Sequence, residues 1–263
     1  MNRVSEVLRN RSAKCALIPF ITAGYPNIET TIKALYELDR QGANIIELGI
    51  PYSDALADGP IIQQASLIAL KQGVYIDQVL NILKEVSDKI KAPIVVFSYY
   101  NPLLKRGLFS FIQEISSMGA KGLVIPDLPL EETDYLIEIC QNYNIELILF
   151  IAPTSSRKRI QLIVHKSPGC IYLVSSTGVT GIRHEVDMRI FELSNYIKGI
   201  SNKFIMLGFG ISKPEHVAKI VKWNIDGIVV GSAFIKKLTN DSLDEAIYSL
   251  SGFCQSLKKA IDN

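Results

Sequence analysis

The chain has 263 residues, 48% of them hydrophobic and 21% charged, enough for one large domain or two small ones with a substantial buried core. A formal net charge of +2 with no run of basic residues argues against nucleic acid or an anionic membrane as the partner. No apolar run approaches membrane-span length, and the opening segment MNRVSEVLRNRSAK lacks a signal-peptide core. An intracellular soluble protein is expected, in a bacterial cytoplasm or a plastid stroma. Four cysteines (Cys15, Cys140, Cys170, Cys254) are widely spaced without a CxxC, which reads as reduced, buried thiols.

Eight short apolar runs follow one another: Cys15–Ile21, Asn44–Gly49, Ile94–Ser98, Gly122–Ile125, Glu146–Ile151, Cys170–Val174, Phe204–Leu207 and Gly227–Val230. They are rich in Ile, Val, Leu and Phe without clean alternation, as strands covered on both faces should be. Segments of helical spacing lie between them. Val79, Leu83, Val86 and Ile90 share one face, as do Leu243, Ile247, Leu250, Phe253, Leu257 and Ile261. Pro26-Asn27 and Pro214 mark helix starts, and Gly42, Gly119 and Gly199 mark helix ends. Eight strand–helix units predict a single-domain (β/α)8 barrel over residues 1–263, with a doubly wound open sheet as the rival. The long interval from Ile45 to Ile94 predicts an extra helix.

In such a barrel the chemistry sits at the C-terminal strand ends. None of those ends carries a lysine, since Lys14, Lys121 and Lys203 precede their strands, so a Schiff-base nucleophile is not evident. His165, His184 and His216 have no metal-ligand spacing. Glu47 stands out as a carboxylate inside an apolar strand, which is costly unless it is satisfied or catalytic. It is expected to point into the barrel mouth with a raised pKa suited to proton transfer. A structural carboxylate bonded to Tyr172 or Ser53 is the alternative. Asp58, in the turn-rich loop that follows, could share the chemistry, or form an Asx turn or cap the next helix. Tyr172 could be a core tyrosine or could face the site.

Glycines gather where loops leave strands six, seven and eight: Gly178-Val179-Thr180-Gly181, Gly208-Phe209-Gly210 and Gly231-Ser232. Main-chain N–H groups can approach an anion closely at such points, which predicts a phosphorylated ligand. Residues 178–187, with Arg183 and His184, read as a loop that could close over it.

The stretch beginning at Glu47, ELGIPYSDALADGPIIQ, resembles the signature of the tryptophan synthase alpha subunit family. The likeness runs along the chain through PFITAG at Pro19, YYNP at Tyr99, PDLP at Pro126, GVTG at Gly178, GFGIS at Gly208 and Gly231-Ser232. The resemblance implies a barrel that cleaves indole-3-glycerol phosphate to indole and glyceraldehyde 3-phosphate. It implies Glu47 and Asp58 as the catalytic pair, and Phe20, Tyr99, Tyr172 and Phe209 around the substrate. It further implies phosphate contacts at Gly181, Gly210, Gly231 and Ser232. No cofactor is implied in this chain; a pyridoxal-phosphate-containing beta subunit, in an alpha2-beta2 complex, would take the indole, with Asp54 and the loop near Ser176 facing it. Family members usually carry proline where this chain has Ala55, a change expected to loosen the loop before Asp58. Two rivals stand beside this reading: a sugar-phosphate isomerase on a similar barrel, and a subunit that mainly gates a partner.

Overall fold

A strand buried on both faces needs apolar side chains at nearly every position, and the eight runs supply them. The computed structural model describes residues 3–174, 188–208, 210–239 and 242–262. In it the runs become β1 (Ala16–Thr22), β2 (Ile46–Gly49), β3 (Ile94–Phe97), β4 (Gly122–Val124), β5 (Glu146–Ile151), β6 (Cys170–Val174), β7 (Phe204–Gly208) and β8 (Gly227–Val230). All pair in parallel and in chain order, and β8 returns to β1 through Ala16 opposite Gly227 and Pro19 opposite Val230. Closure leaves no open sheet edge and rules out the doubly wound alternative.

Helices cover the outside. Their starts follow the sequence cues: Asn27 caps the helix Ile28–Arg40 by accepting from the Thr30 N–H at 2.8 Å, and Pro214 opens the helix Pro214–Ile220. The long interval before β3 holds two helices, Pro60–Lys71 and Ile76–Val86. Two helical details differ from expectation. Gly199 lies inside the helix Met188–Ile200 rather than after its end, whereas Gly42 and Gly119 do terminate helices with φ of +82° and +95°. The final helix, Leu243–Asp262, turns Ala246, Leu250, Cys254, Leu257 and Ile261 to the core. Ile247 and Phe253 flank that stripe, Phe253 packing edge-on against Phe234. The four thiols are free and buried, and burial pushes those of Cys15, Cys140 and Cys254 up to about 12. Among the described residues, no helix is long and apolar enough to cross a membrane.

The N-terminal end of the barrel is plugged, which leaves the C-terminal end for a ligand. The helix Val4–Asn10 buries Val4 and Leu8 completely. A methyl group on Gly122 would come within 3.0 Å of Val4, and one on Gly227 within 3.4 Å of Leu8, so small residues at the strand starts admit this helix. Beside it, Asp226 accepts from Arg11 at 2.8 Å, from Lys198 at 2.5 Å and from the Ile205 N–H at 2.8 Å. Removing a carboxylate shared by two partly buried cations strands both of them. Asp226→Ala should therefore lower stability by about 2–4 kcal/mol, read as a reduced urea midpoint with an unchanged slope. An unaltered midpoint would show that this cluster does not hold the floor.

Candidate active site

Period-two alternation decides what faces the barrel interior. In β2, Leu48 points out toward the helices and Glu47 points in, next to Phe20 of β1 and Val95 of β3. Glu47 is fully buried, and neither carboxyl oxygen has a hydrogen-bond partner among the described residues. Burial first, and then the charge of Asp58, push its pKa up to about 8. The structural alternative, a carboxylate satisfied by a neighbouring hydroxyl, is not found among the described residues. Glu47 is an acid that holds its proton at neutral pH.

Asp58 arrives from the loop between β2 and the helix Pro60–Lys71. Gly59, not Asp58, is the N-cap of that helix. The Asp58 carboxylate instead accepts from the Tyr99 hydroxyl at 2.9 Å. Burial raises its pKa to about 6 and the tyrosine bond opposes that rise, so Asp58 is mostly ionised at neutral pH. The loop is held from inside: Gln63 Nε2 donates to the Ala55 carbonyl at 3.0 Å and to the Asp58 carbonyl at 2.9 Å. Ala55 is itself buried and also accepts from the Asp58 N–H at 3.1 Å. These bonds anchor the position where the resemblance led us to expect loosening. Asp54 and Leu56, in contrast, are exposed.

Both acids line a cavity of about 260 Å³ at the C-terminal mouth, together with Phe20, Phe97 and Tyr172. Tyr172 stacks on Phe150 with ring centroids 4.6 Å apart. Its phenol is pushed well above its usual range by burial and then by the two acids. Two glycines make room for these rings. A methyl on Gly49 would sit 2.6 Å from the Phe20 ring, and one on Gly208 would sit 2.3 Å from the Tyr172 hydroxyl. Gly210 and Ser212 after β7 and Gly231 and Ser232 after β8 complete the lining, Gly231 lying beside Phe20 because β8 pairs with β1. In the first turn of the helix Ser232–Lys237, the Phe234 N–H already donates to the Gly231 carbonyl at 2.8 Å, so Ser232 and Ala233 hold the N–H groups that helix bonding leaves over.

Of the residues singled out in the sequence, Phe20, Glu47, Asp58, Tyr172, Gly210, Gly231 and Ser232 meet on this one cavity. Tyr99 stands behind Asp58, buried, with its hydroxyl on the carboxylate. Gly181 and Phe209, with the loop through Arg183 and His184, lie outside the described residues. Sequence reading missed three lysines on the wall: Lys213, Lys236 and Lys237. The strand ends do lack lysine, but the chain returns cations to the cavity after β7 and from the helix after β8. The Lys236-Lys237 pair soon after Gly231-Ser232 was the available signal. Phe253, from the final helix, also reaches the cavity, and no local pattern announced it.

The comparisons agree with this geometry. A family model described as tryptophan synthase alpha chain matches residues 7–262. A tryptophan synthase alpha chain from Antithamnion sp. is 69% identical over 260 residues, covering 99% of each chain. The alpha subunit structure from Legionella pneumophila has a TM-score of 0.89 at 31% identity, covering 100% of this chain and 99% of that one. A chain of the tryptophan synthase complex from Pyrococcus furiosus has a TM-score of 0.86 at 34% identity, covering 94% and 98%.

The raised carboxyl pKa values carry a stability cost of definite sign. Each acid favours the folded state while protonated and disfavours it once ionised, so stability falls as pH rises from the ordinary Glu value of 4.5 toward about 8. Glu47→Gln removes most of that fall. The variant should match the wild type near pH 4 and exceed it by on the order of 3 kcal/mol at pH 9, measured by urea unfolding. A gap that does not widen with pH would mean that Glu47 is not buried as an acid.

Proposed function

The chain belongs to the tryptophan synthase alpha chain family and cleaves indole-3-glycerol phosphate to indole and glyceraldehyde 3-phosphate, and we propose that Glu47 and Asp58 carry that cleavage. The observation that supports this most strongly is a fully buried Glu47, without a hydrogen-bond partner among the described residues, lining the same cavity as Asp58. Breaking the bond between the indole ring and the glycerol phosphate chain requires somewhere for its electrons to go. Protonating the ring carbon that bears the chain turns the ring into an indolenine that can accept them. Glu47 donates that proton. As a carboxylate it then takes the proton from the hydroxyl on the adjacent side-chain carbon. The carbon–carbon bond breaks, its electrons restore the indole, and the aldehyde leaves. Glu47 ends protonated, as it began.

Asp58 accepts from the indole N–H and stabilises the positive charge that grows on nitrogen. Phe20 and Tyr172 flank the ring, with Tyr99 supporting Asp58 from behind. The phosphate goes to main-chain N–H groups around Gly210, Gly231 and Ser232, with Gly181 and Phe209 assigned to the same ligand on the family resemblance. The three wall lysines complement its dianionic charge. The cavity thus carries both carboxyl groups and cations, matching a substrate that turns positive at its ring and is negative at its tail.

The partner is a tryptophan synthase beta subunit, whose pyridoxal phosphate consumes the indole; the cleavage in this chain needs no cofactor of its own. Asp54 and Leu56 on the exposed part of the loop face that partner. The complex works in an aqueous compartment, cytoplasm or plastid stroma.

Glu47→Gln should keep affinity for indole-3-glycerol phosphate while kcat for indole release falls by about 10²–10⁴-fold. Wild-type turnover in that variant would remove Glu47 from the chemistry. The kcat/KM profile should be bell-shaped, with apparent limbs near 6 and near 8 that belong to the coupled pair. A flat profile across that interval would contradict the proton roles.

A further inference from the structure

Resting on the reading of Asp58 above, we propose that Tyr99 is a positioning residue for the cleavage, fixing which oxygen of Asp58 is left to meet the indole N–H. The hydrogen bonds around its phenol have only one arrangement. The Ala57 N–H donates to the Tyr99 oxygen at 3.0 Å, which occupies an acceptor site on that oxygen. The single phenolic proton is therefore directed to Asp58 Oδ2, 2.9 Å away. With one lone pair of Oδ2 already engaged, Oδ1, to which no described hydrogen bond is made, is the better placed oxygen to accept from a ligand.

The ring cannot swing away. Tyr99 is 3% exposed, with its centroid 5.2 Å from that of Tyr52 and 6.1 Å from that of Phe97, the latter edge-on. The carboxylate is pinned at its base too, through the Gln63 contact with its own carbonyl. Asp58 and its holder are thus tied to one loop, whose neighbouring residue Leu56 is 83% exposed.

A hydrogen bond to the charged form of an acid also favours its ionisation. Asp58 is faced by Glu47 from β2, by Tyr172 from β6 and by Tyr99 after β3, while Asp127 after β4 acts on Tyr99. Lys213, Lys236 and Lys237 line the same cavity. Of these groups, Tyr99 alone has a described hydrogen bond to the Asp58 carboxyl, and that bond works against the burial. Burial and the two aspartates push the phenol itself upward, so it stays a donor at every working pH.

The test is Tyr99→Phe, which keeps the ring and deletes the hydroxyl. Indole release should show kcat down about tenfold with KM little changed, the worth of one hydrogen bond to a charged group. The acid limb of kcat/KM should move to higher pH, a readout that ring packing alone would not shift. Incorporating 3-fluorotyrosine at position 99 makes the phenol a stronger donor and should move the limb the other way, which keeps the test open if the phenylalanine variant misfolds. Asp58→Asn serves as the control. If it is inactive while the acid limb and kcat of the Tyr99 variants match the wild type, the role of Tyr99 is refuted and that of Asp58 stands. If Asp58→Asn turns over normally, the reading beneath the proposal fails instead.

Discussion

A buried carboxyl group at the mouth of a barrel, with no hydrogen-bond partner among the described residues, is the constraint around which this structure is organised. Glu47 could be stabilised by any nearby hydroxyl or amide, yet both its oxygens are bare among the described residues. Desolvation then makes the neutral acid its resting form. The cost is tolerable because the surrounding framework is strong: a closed ring of parallel strands, a floor plugged by Val4 and Leu8, and an ion cluster at Asp226. Folding stability is given up locally at the site and supplied elsewhere.

In the proposed cleavage the two acids divide the work by environment. Glu47, on a strand and fully enclosed, is held neutral and can give a proton. Asp58, on a loop and bonded to Tyr99, remains charged and can stabilise positive charge. Similar side chains acquire opposite roles because one has a donor and the other has none. The three lysines on the same cavity supply the opposite charge, which in the proposed reading complements the phosphate tail of the ligand.

Most of the fold was legible because a closed barrel repeats one simple demand, apolar on both faces of every strand. The runs predicted the eight strands to within a residue or two at most ends. Gly199 misled because a glycine near a helix end is a frequent but not obligatory stop. The final helix was rotated slightly because Ala246 and Cys254, small and weakly hydrophobic, take the core face while Phe253 leans aside to Phe234. In the site, Glu47 was visible as a charge in an apolar run, and the glycine clusters as turns. The lysines were hidden because they reach the cavity from beyond the strand ends, where the sequence search stopped. The bond between Tyr99 and Asp58 was hidden as well, since it joins residues 41 positions apart whose meeting depends on β2 lying beside β3.

The protonation state of Glu47 in the unliganded protein is the point on which the account turns. Infrared difference spectroscopy between the wild type and Glu47→Gln, scanned from pH 4 to pH 10, reads the carbonyl stretch of the protonated acid directly. The account predicts a protonated carboxyl band that persists at pH 7 and titrates away near pH 8. A band already lost by pH 5 would contradict it.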